Sequence, residues 1–97
     1  MFDKMKQLME MKRQADELKR QLDDITVESQ VVTGIKITVN GSQTFKTIEV
    51  DPTHLRPENK SRFEQDLLKS VNAAVQKSQQ TAAQKMRQVM PNIPGLT

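Results

Sequence analysis

The sequence predicts an α+β fold in which a long N-terminal helix, a three-stranded antiparallel β meander and a long C-terminal helix follow one another. Residues 26–50 alternate apolar and polar side chains, as half-buried strands do. The flanking segments, 1–25 and 51–90, instead repeat apolar residues every three or four positions, which is the spacing of one helix face. A chain of 97 residues is predicted to form a single domain, residues 1–97, ending in a Pro/Gly tail at 91–97.

The first helix is predicted from an apolar seam with interleaved charges on its other faces. Because this seam covers fewer than three heptads, it must pack on the second helix or on a copy of itself. The methionines near the N-terminus could form an adaptable binding surface, but their helical spacing favours core packing. The seam consists of Leu8, Met11, Ala15, Leu18, Leu22 and Ile25.

Three strands are predicted from period-two patterns separated by turn residues. The first runs from Ile25 to Val32 and turns at Thr33-Gly34; the second follows in GIKITV. Asn40-Gly41 is expected to supply the positive φ angles of a tight reversal into the third strand, TFKTIEV. Asp51-Pro52 ends the sheet because proline cannot donate a ladder hydrogen bond.

The second helix is predicted to extend to about Met90, where prolines end it. Pro57 suits a first turn, and Ser61 with Glu64 has the spacing of a capping box. Some 34 residues would span roughly 50 Å, more than the width of a compact domain of this size. The helix must therefore either bend, most easily at residues 78–81, or project from the domain.

No residue pattern indicates catalysis, a cofactor or a metal. The chain has no cysteine, its three glycines form no phosphate-binding loop, and its single histidine, His54, has no nucleophile context. No apolar run approaches the length of a membrane span, and no signal peptide is apparent. We expect a soluble intracellular protein that is not an enzyme.

Composition and charge point to an oligomer and, weakly, to a polyanionic partner. An apolar share of 35% with three phenylalanines is a thin supply for a core, which favours a homodimer. The net charge of +3 comes entirely from residues 51–97, and no acidic residue follows Asp66. A basic half on a small protein favours nucleic acid as partner, although a solvated helix surface would look the same.

The sequence resembles the YbaB/EbfC family of small bacterial nucleoid-associated proteins. The specific part is GIKITVNG followed by IEVDP, with DLL and VNAA some fifteen residues further on; MKQLMEMKRQ, ITVES and the closing NIPGL extend the match. The resemblance implies an α+β homodimer with joined sheets and helices projecting like the arms of tweezers. It also implies a cytoplasmic, nucleoid-bound protein that binds double-stranded DNA with little sequence preference and alters its conformation.

Combining both arguments, we expect projecting helices to present basic side chains to duplex phosphates. Such contacts fix position without reading bases, so binding should depend strongly on salt and weakly on sequence. Phe2, Phe45 and Phe63 are expected to be buried and to offer no stacking platform for single strands. The candidate contacts are Lys4, Lys6, Lys12, Arg13, Lys19, Arg20, Lys69, Lys77, Lys85 and Arg87.

Two other functions are compatible with the sequence. The first is a dimeric helical adaptor whose seam and Met-rich terminus bind a partner protein, without DNA binding. The second is attachment to anionic membranes through a basic amphipathic helix; the near-zero charge of the first helix and the absence of Trp and Tyr argue against it.

Overall fold

The computed structural model describes residues 2–89 and confirms the predicted α+β order of elements. Helix α1 spans Phe2–Asp24 and helix α2 spans Lys60–Val89, with two short 3-10 turns at Pro52–His54 and Pro57–Asn59 before α2. Between the helices lie strands β1 (Thr26–Val32), β2 (Ile35–Asn40) and β3 (Phe45–Val50). The predicted tail at 91–97 and the predicted helix end at Met90 lie outside the described residues. No described helix is long and apolar enough to cross a membrane.

The sheet is an antiparallel meander in the order β1-β2-β3, so β2 is central and the other two strands form the edges. The register of β1 shifts between Ser29 and Val32. Strict alternation from Ile25 would have put Val31 with Val27 on the buried face. Instead Val31 is exposed and Val32 packs against the core, because the irregularity exchanges which side chain points inward.

The core lies between one face of the sheet and α2. Ile35, Ile37 and Val39 of β2 are fully buried, and Val27 of β1 and Ala74 of α2 complete the buried cluster. Half-buried side chains close its margin: Ile25, Val32, Phe63, Leu67 and Val71. The small Ala74 lets the helix axis approach β2 closely, so α2 packs on β1 and β2.

Strand β3 extends the apolar face of the sheet beyond the cover of α2. Phe45, Ile48 and Val50 stand opposite Val39, Ile37 and Ile35, and directly opposed residues of antiparallel strands point to the same face. A register shift between Thr38 and Val39 keeps Phe45 on this face. Phe45 is nevertheless 40% exposed and Ile48 51% exposed. We refer to Phe45, Ile48 and Val50 as the β3 flank.

Helix α1 buries far fewer of its apolar side chains than the seam in its sequence predicted. Leu18 is its only buried residue, whereas Leu8 and Met11 of the same seam are more than half exposed. Met5 and Met9 are exposed too, so within this chain the expectation that the methionines fill the core is wrong. Phe2, at 81% exposed, and Phe45 were also expected to be buried, and only Phe63 is partly buried. Buried phenylalanines therefore give no argument against single-strand stacking.

The reversal between β2 and β3 works differently from the predicted Asn40-Gly41 turn. The positive φ angle falls on Gln43 (φ 64°), three residues after Asn40. Asn40 shapes the turn with its side chain, whose Oδ1 accepts hydrogen bonds from the backbone N–H groups of Ser42 and Thr44 at 2.9 and 2.8 Å. Gly41 is needed for close approach: its N–H donates to the Leu22 carbonyl, and a Cβ there would lie 2.8 Å from that oxygen.

The second helix starts at Lys60, so Ser61 lies inside it and the predicted capping box does not form. Pro57 opens the preceding 3-10 turn, as its fixed φ suits. The helix runs unbroken through residues 78–81, where a bend was one of two alternatives. Ser78 is buried there, and its hydroxyl donates to the Asn40 carbonyl at 2.7 Å. Of the two alternatives, the helix is therefore the one that projects from the domain, and the molecule measures 67 × 22 × 17 Å.

Candidate nucleic-acid interface

The predicted DNA-contacting residues of α1 are all on the surface, but their charges are largely balanced within the helix. Residues 1–25 contain six basic and six acidic side chains, which gives no net charge. Arg13 forms an ion pair with Glu10 at 2.5 Å, Arg20 one with Glu17 at 2.6 Å and Lys19 one with Asp23 at 3.4 Å. Lys4, Lys6 and Lys12 are exposed on the same helix.

The arginine pairs of α1 favour the ionised form of their carboxylates. The hydrogen bond from Arg13 lowers the pKa of Glu10, and the hydrogen bond from Arg20 lowers the pKa of Glu17. Each guanidinium reaches back three residues to its partner and donates more than one hydrogen bond. A phosphate approaching Arg13 or Arg20 would therefore compete with a carboxylate that already occupies the guanidinium.

The four predicted residues of α2 lie in three different environments. Lys69 and Arg87 are exposed on the side of the helix that faces away from the sheet. Lys85 is partly buried and lies near the line of the core residues Ala74 and Ser78. Lys77 is held on the edge of the sheet, where its Nζ donates to the Glu28 carbonyl of β1. Of this group, only Lys69 and Arg87 share one exposed face of the helix, and they lie about 27 Å apart along it.

One face of α2 forms a polar row that the sequence prediction did not identify. Positions three or four apart along a helix lie one above another, and the members of this row are all exposed. Its cations are Arg62, Lys69 and Arg87, and carboxamides fill most positions between them. We call this row the outer α2 stripe: Arg62, Gln65, Lys69, Asn72, Gln76, Gln80, Ala83 and Arg87.

Within α2, the acid nearest this stripe is Asp66, which lies one helical turn from both Arg62 and Lys69. Arg62 lies 3.9 Å from Asp66, a long pairing with an Arg62 side chain that is 86% exposed. From residue 67 to the end of α2 the sequence contains no acid. The signal that identifies the stripe was therefore available in the sequence: a three- and four-residue spacing of polar groups without acids. The sequence prediction selected Lys69, Lys77, Lys85 and Arg87 by charge and therefore missed this row.

His54, the only histidine, serves the fold. Its Nε2 lies 2.9 Å from the Thr33 carbonyl oxygen, and its ring centroid is 6.1 Å from that of Phe63. It thereby fastens the β1–β2 turn to the segment before α2. Across residues 2–89, no group of three or more His, Cys, Asp or Glu is placed to hold a metal ion.

Comparison with known proteins agrees with this architecture. The solved structure of an uncharacterized protein, HP0035 from Helicobacter pylori, superposes with a TM-score of 0.73 over 87% of this chain and 90% of that one. At 17% sequence identity, this likeness concerns the fold alone. Among relatives by sequence, a nucleoid-associated protein of Pelotomaculum thermopropionicum is 34% identical over 95 residues, covering 95% of this chain and 90% of the relative.

Two further matches are similar in extent. A nucleoid-associated protein of Moorella thermoacetica is 33% identical over 90 residues, covering 92% of this chain and 86% of the relative. The uncharacterized MG134 homolog of Mycoplasma pneumoniae is 35% identical over 97 residues, covering 94% and 96%. The family model of the YbaB/EbfC DNA-binding family matches residues 1–93. With helix, meander and helix arranged as the resemblance implied, the chain belongs to the YbaB/EbfC DNA-binding family.

Proposed function

We propose that this protein is a homodimeric nucleoid-associated protein that binds double-stranded DNA with little sequence preference. Phosphate contacts from the projecting helices hold the duplex, and the resulting change in DNA conformation can affect gene expression. Family membership over residues 1–93 is the observation that carries this proposal. The acid-free helix beyond Asp66 supports it physically, because such a surface attracts a polyanion.

Salt-dependent DNA binding tests this function. Fluorescence anisotropy of labelled duplexes of unrelated sequence, titrated over a salt series, should give similar affinities that fall linearly on a log–log plot. A single strand of equal length serves as the control for stacking on the exposed phenylalanines. Strong preference for one duplex sequence, or an affinity that salt does not change, would contradict phosphate-based binding.

The β3 flank supports the homodimer and indicates which edge of the sheet a second copy would use. At the β1 edge, the ammonium group of Lys77, which belongs to α2, already donates to the Glu28 carbonyl and lies beside the strand. At the β3 edge, Phe45 and Ile48 leave apolar surface beside the core without cover from α2. A second copy placed along β3 would bury this surface and extend the sheet. The added burial would stabilise a core cluster that has only five buried apolar residues within the described chain.

Ile48→Lys tests this dimer contact, with Thr47→Lys as the matched control. Both positions are exposed on β3, but Thr47 stands opposite Thr38 on the other face of the sheet. In sedimentation velocity, wild type and Thr47→Lys should sediment as dimers and Ile48→Lys as a monomer. A monomeric wild type, or a dimeric Ile48→Lys, would overturn the proposed contact.

The adaptor alternative keeps one observation in its favour: the exposed apolar side chains of α1. Met5, Leu8 and Met9 are each more than 60% exposed, and Phe2 precedes them. Flexible methionine surfaces adapt to varied partners. This function requires that the surface stays exposed in the dimer and that no salt-dependent DNA binding occurs, so the anisotropy measurement separates it from the proposed function.

A further inference from the structure

We propose that residues 90–97, which follow α2 and which we call the 90–97 segment, dock on an exposed apolar face of α1 in the same chain. This face consists of Phe2, Met5 and Met9, and we call it the α1 apolar face. The docking is independent of DNA binding. It covers the surface that the adaptor alternative requires to be free.

The α1 apolar face is a continuous row on one side of a helix. Its members are spaced three and four residues apart, so their side chains lie one above another, and each is more than 60% exposed. Arg13, four residues after Met9, continues the same row towards the sheet. Contiguous apolar surface of this kind marks a contact site, since soluble proteins rarely leave it facing water.

Helix α2 runs antiparallel to α1 and points along this row. Near the sheet Asn40 links the two helices, because its Nδ2 lies 3.4 Å from the Asp23 carbonyl oxygen and its own carbonyl accepts the Ser78 hydroxyl. Further along α2, Val89 lines one cavity with Glu17, which precedes Asp23 on α1. A chain that continues from Val89 in this direction runs towards the N-terminal end of α1.

The last residue of α2 lies where the row begins. Val89 shares its cavity, of about 140 Å³, with Arg13 as well as with Gln14 and Glu17. From Phe2 to Arg13 every residue of α1 is exposed. The residues after Val89 therefore start beside Arg13, at the head of an uncovered stretch of helix.

The sequence of the 90–97 segment, MPNIPGLT, suits this face. Proline fixes φ and disfavours a helical residue before it, so Pro91 and Pro94 favour an extended polyproline II conformation. With three residues per turn, that conformation places Met90, Ile93 and Leu96 on one side. The segment has no charged side chain, so its burial against α1 removes no charge of its own from water.

The lengths of the two apolar rows agree. The first and last apolar residues of the 90–97 segment are about 19 Å apart at about 3.1 Å per residue. The row from Arg13 to Phe2 spans about 16 Å at about 1.5 Å per residue. With the segment starting beside Arg13, Ile93 lies nearest Met9 and Leu96 lies nearest Phe2. The three apolar side chains of the segment thus extend over the whole α1 apolar face.

Disulfide trapping tests the docking, because the chain has no cysteine of its own. Met9→Cys with Ile93→Cys introduces a pair that docking brings together. Gln7→Cys with Ile93→Cys is the matched control, since Gln7 is exposed on nearly the opposite side of α1 from Met9. Under mild oxidation, we expect an intrachain disulfide to form several-fold faster in the first variant, as measured by non-reducing gels and peptide mass mapping. Equal rates for the two pairs, or a disulfide formed only between chains, would overturn the proposal.

Methionine oxidation in the chain without cysteines provides a second measurement. Docking shields Met5 and Met9 from hydrogen peroxide, which converts exposed methionine to its sulfoxide. Ile93→Asp with Leu96→Asp places two charges on the apolar side of the 90–97 segment and should release it. We expect sulfoxide formation at both methionines to become several-fold faster than in wild type, as measured by mass spectrometry.

Asn92→Asp with Thr97→Asp is the charge-matched control for this experiment. Both positions lie off the apolar side of the segment in a polyproline II conformation, so oxidation of Met5 and Met9 should keep its wild-type rate. Circular dichroism checks that each variant keeps its helices. If the rates in Ile93→Asp with Leu96→Asp stay at the wild-type value, the segment does not cover this face. An equal rise in both variants would also contradict docking through the apolar side of the segment.

Discussion

Asn40 connects three parts of the molecule through its own atoms. Its side-chain oxygen accepts the two N–H groups that close the β2–β3 turn, and its Nδ2 lies 3.4 Å from the Asp23 carbonyl at the end of α1. Its backbone carbonyl accepts the Ser78 hydroxyl from the middle of α2. Asn40 is only 4% exposed, and its burial is tolerated because these hydrogen bonds leave no buried side-chain polar atom of the residue unpaired.

Removing the Ser78 hydroxyl should cost about 1–2 kcal/mol of unfolding free energy, since it withdraws one hydrogen bond from a buried carbonyl. We expect Ser78→Ala to lower the midpoint of urea denaturation accordingly. Ser61→Ala is the matched control, because Ser61 is exposed on the same helix. Equal midpoints for the two variants would contradict an anchoring role for Ser78.

Asp51 should make stability depend on pH at the acid end. Hydrogen bonds from the backbone N–H and then the hydroxyl of Thr53 lower the pKa of Asp51, with a smaller effect of the nearby His54 charge. Because the folded pKa lies below the unfolded one, this contribution is complete above the ordinary aspartate pKa and is lost as pH falls through the folded value. As pH falls over that interval, the Asp51→Asn variant should lose less stability than the wild type does, as measured by thermal unfolding. An identical acid dependence would rule this contribution out.

Substituting Gly34 should strain the β1–β2 turn. Gly34 has φ +87°, and an added Cβ would lie 2.7 Å from His54 Nε2. Gly34→Ala therefore introduces both an unfavourable backbone conformation and a clash, and we expect about 1–3 kcal/mol of destabilisation by urea denaturation. Combining it with His54→Ala removes the closest contact but leaves the backbone strain and the 3.1 Å approach to the Asp51 Cβ, so the double variant should show coupling between the two sites.

At the residue scale, sequence patterns predicted which turn or helix a residue belongs to better than they predicted what that residue does there. Asn40 and Gly41 were correctly assigned to the reversal, but as residues of positive φ; their roles are side-chain acceptance and close approach to Leu22. Neither role is encoded locally, because both depend on where the end of α1 lies. Ser78 was interpreted as part of a weak helical stretch for the same reason: its partner, Asn40, is 38 residues away.

At the scale of elements, α1 is a helix whose apolar seam is covered only near the sheet. Leu18→Ala should cost about 2–5 kcal/mol, because Leu18 is 7% exposed and its truncation leaves a cavity. Leu8→Ala, at a position 66% exposed, should change stability by about 0.5 kcal/mol or less. A comparable loss at both positions, measured by urea denaturation, would show that Leu8 is covered by another molecule.

Periodicity predicted each element because helices and strands bury their apolar residues at different intervals. It could not predict which apolar residues the chain would cover, since that depends on how far α2 reaches across the sheet. Ile37 and Ile48 have equivalent patterns and are directly paired, yet Ile37 is fully buried and Ile48 is 51% exposed. The candidate site was predicted only in part for a related reason: ion pairing and the Lys77 contact decide which cations remain available, and both require geometry.

At the scale of the whole molecule, the chain is elongated. Its radius of gyration of 18.8 Å exceeds the roughly 12–13 Å of a compact domain of this length. If Ile48→Lys is monomeric, as proposed, it should therefore give a radius of gyration close to 18.8 Å in small-angle X-ray scattering. A value near that of a compact domain would contradict this elongated arrangement of the helices.

Beyond its polar anchor at the β2–β3 turn, α2 is flanked by α1 instead of the sheet, so its far part can act as a lever relative to the sheet. Ser78 is the last fully buried residue of the helix, and the segment from Gln79 to Val89 extends about 16 Å beyond it. A tilt of about 10° at this fulcrum would carry Val89 through about 3 Å while the sheet stays still. Arg87 would move almost as far. If the protein binds duplex DNA as proposed, the distance from Arg87 to a phosphate can follow the local width of a groove without any contact to the bases.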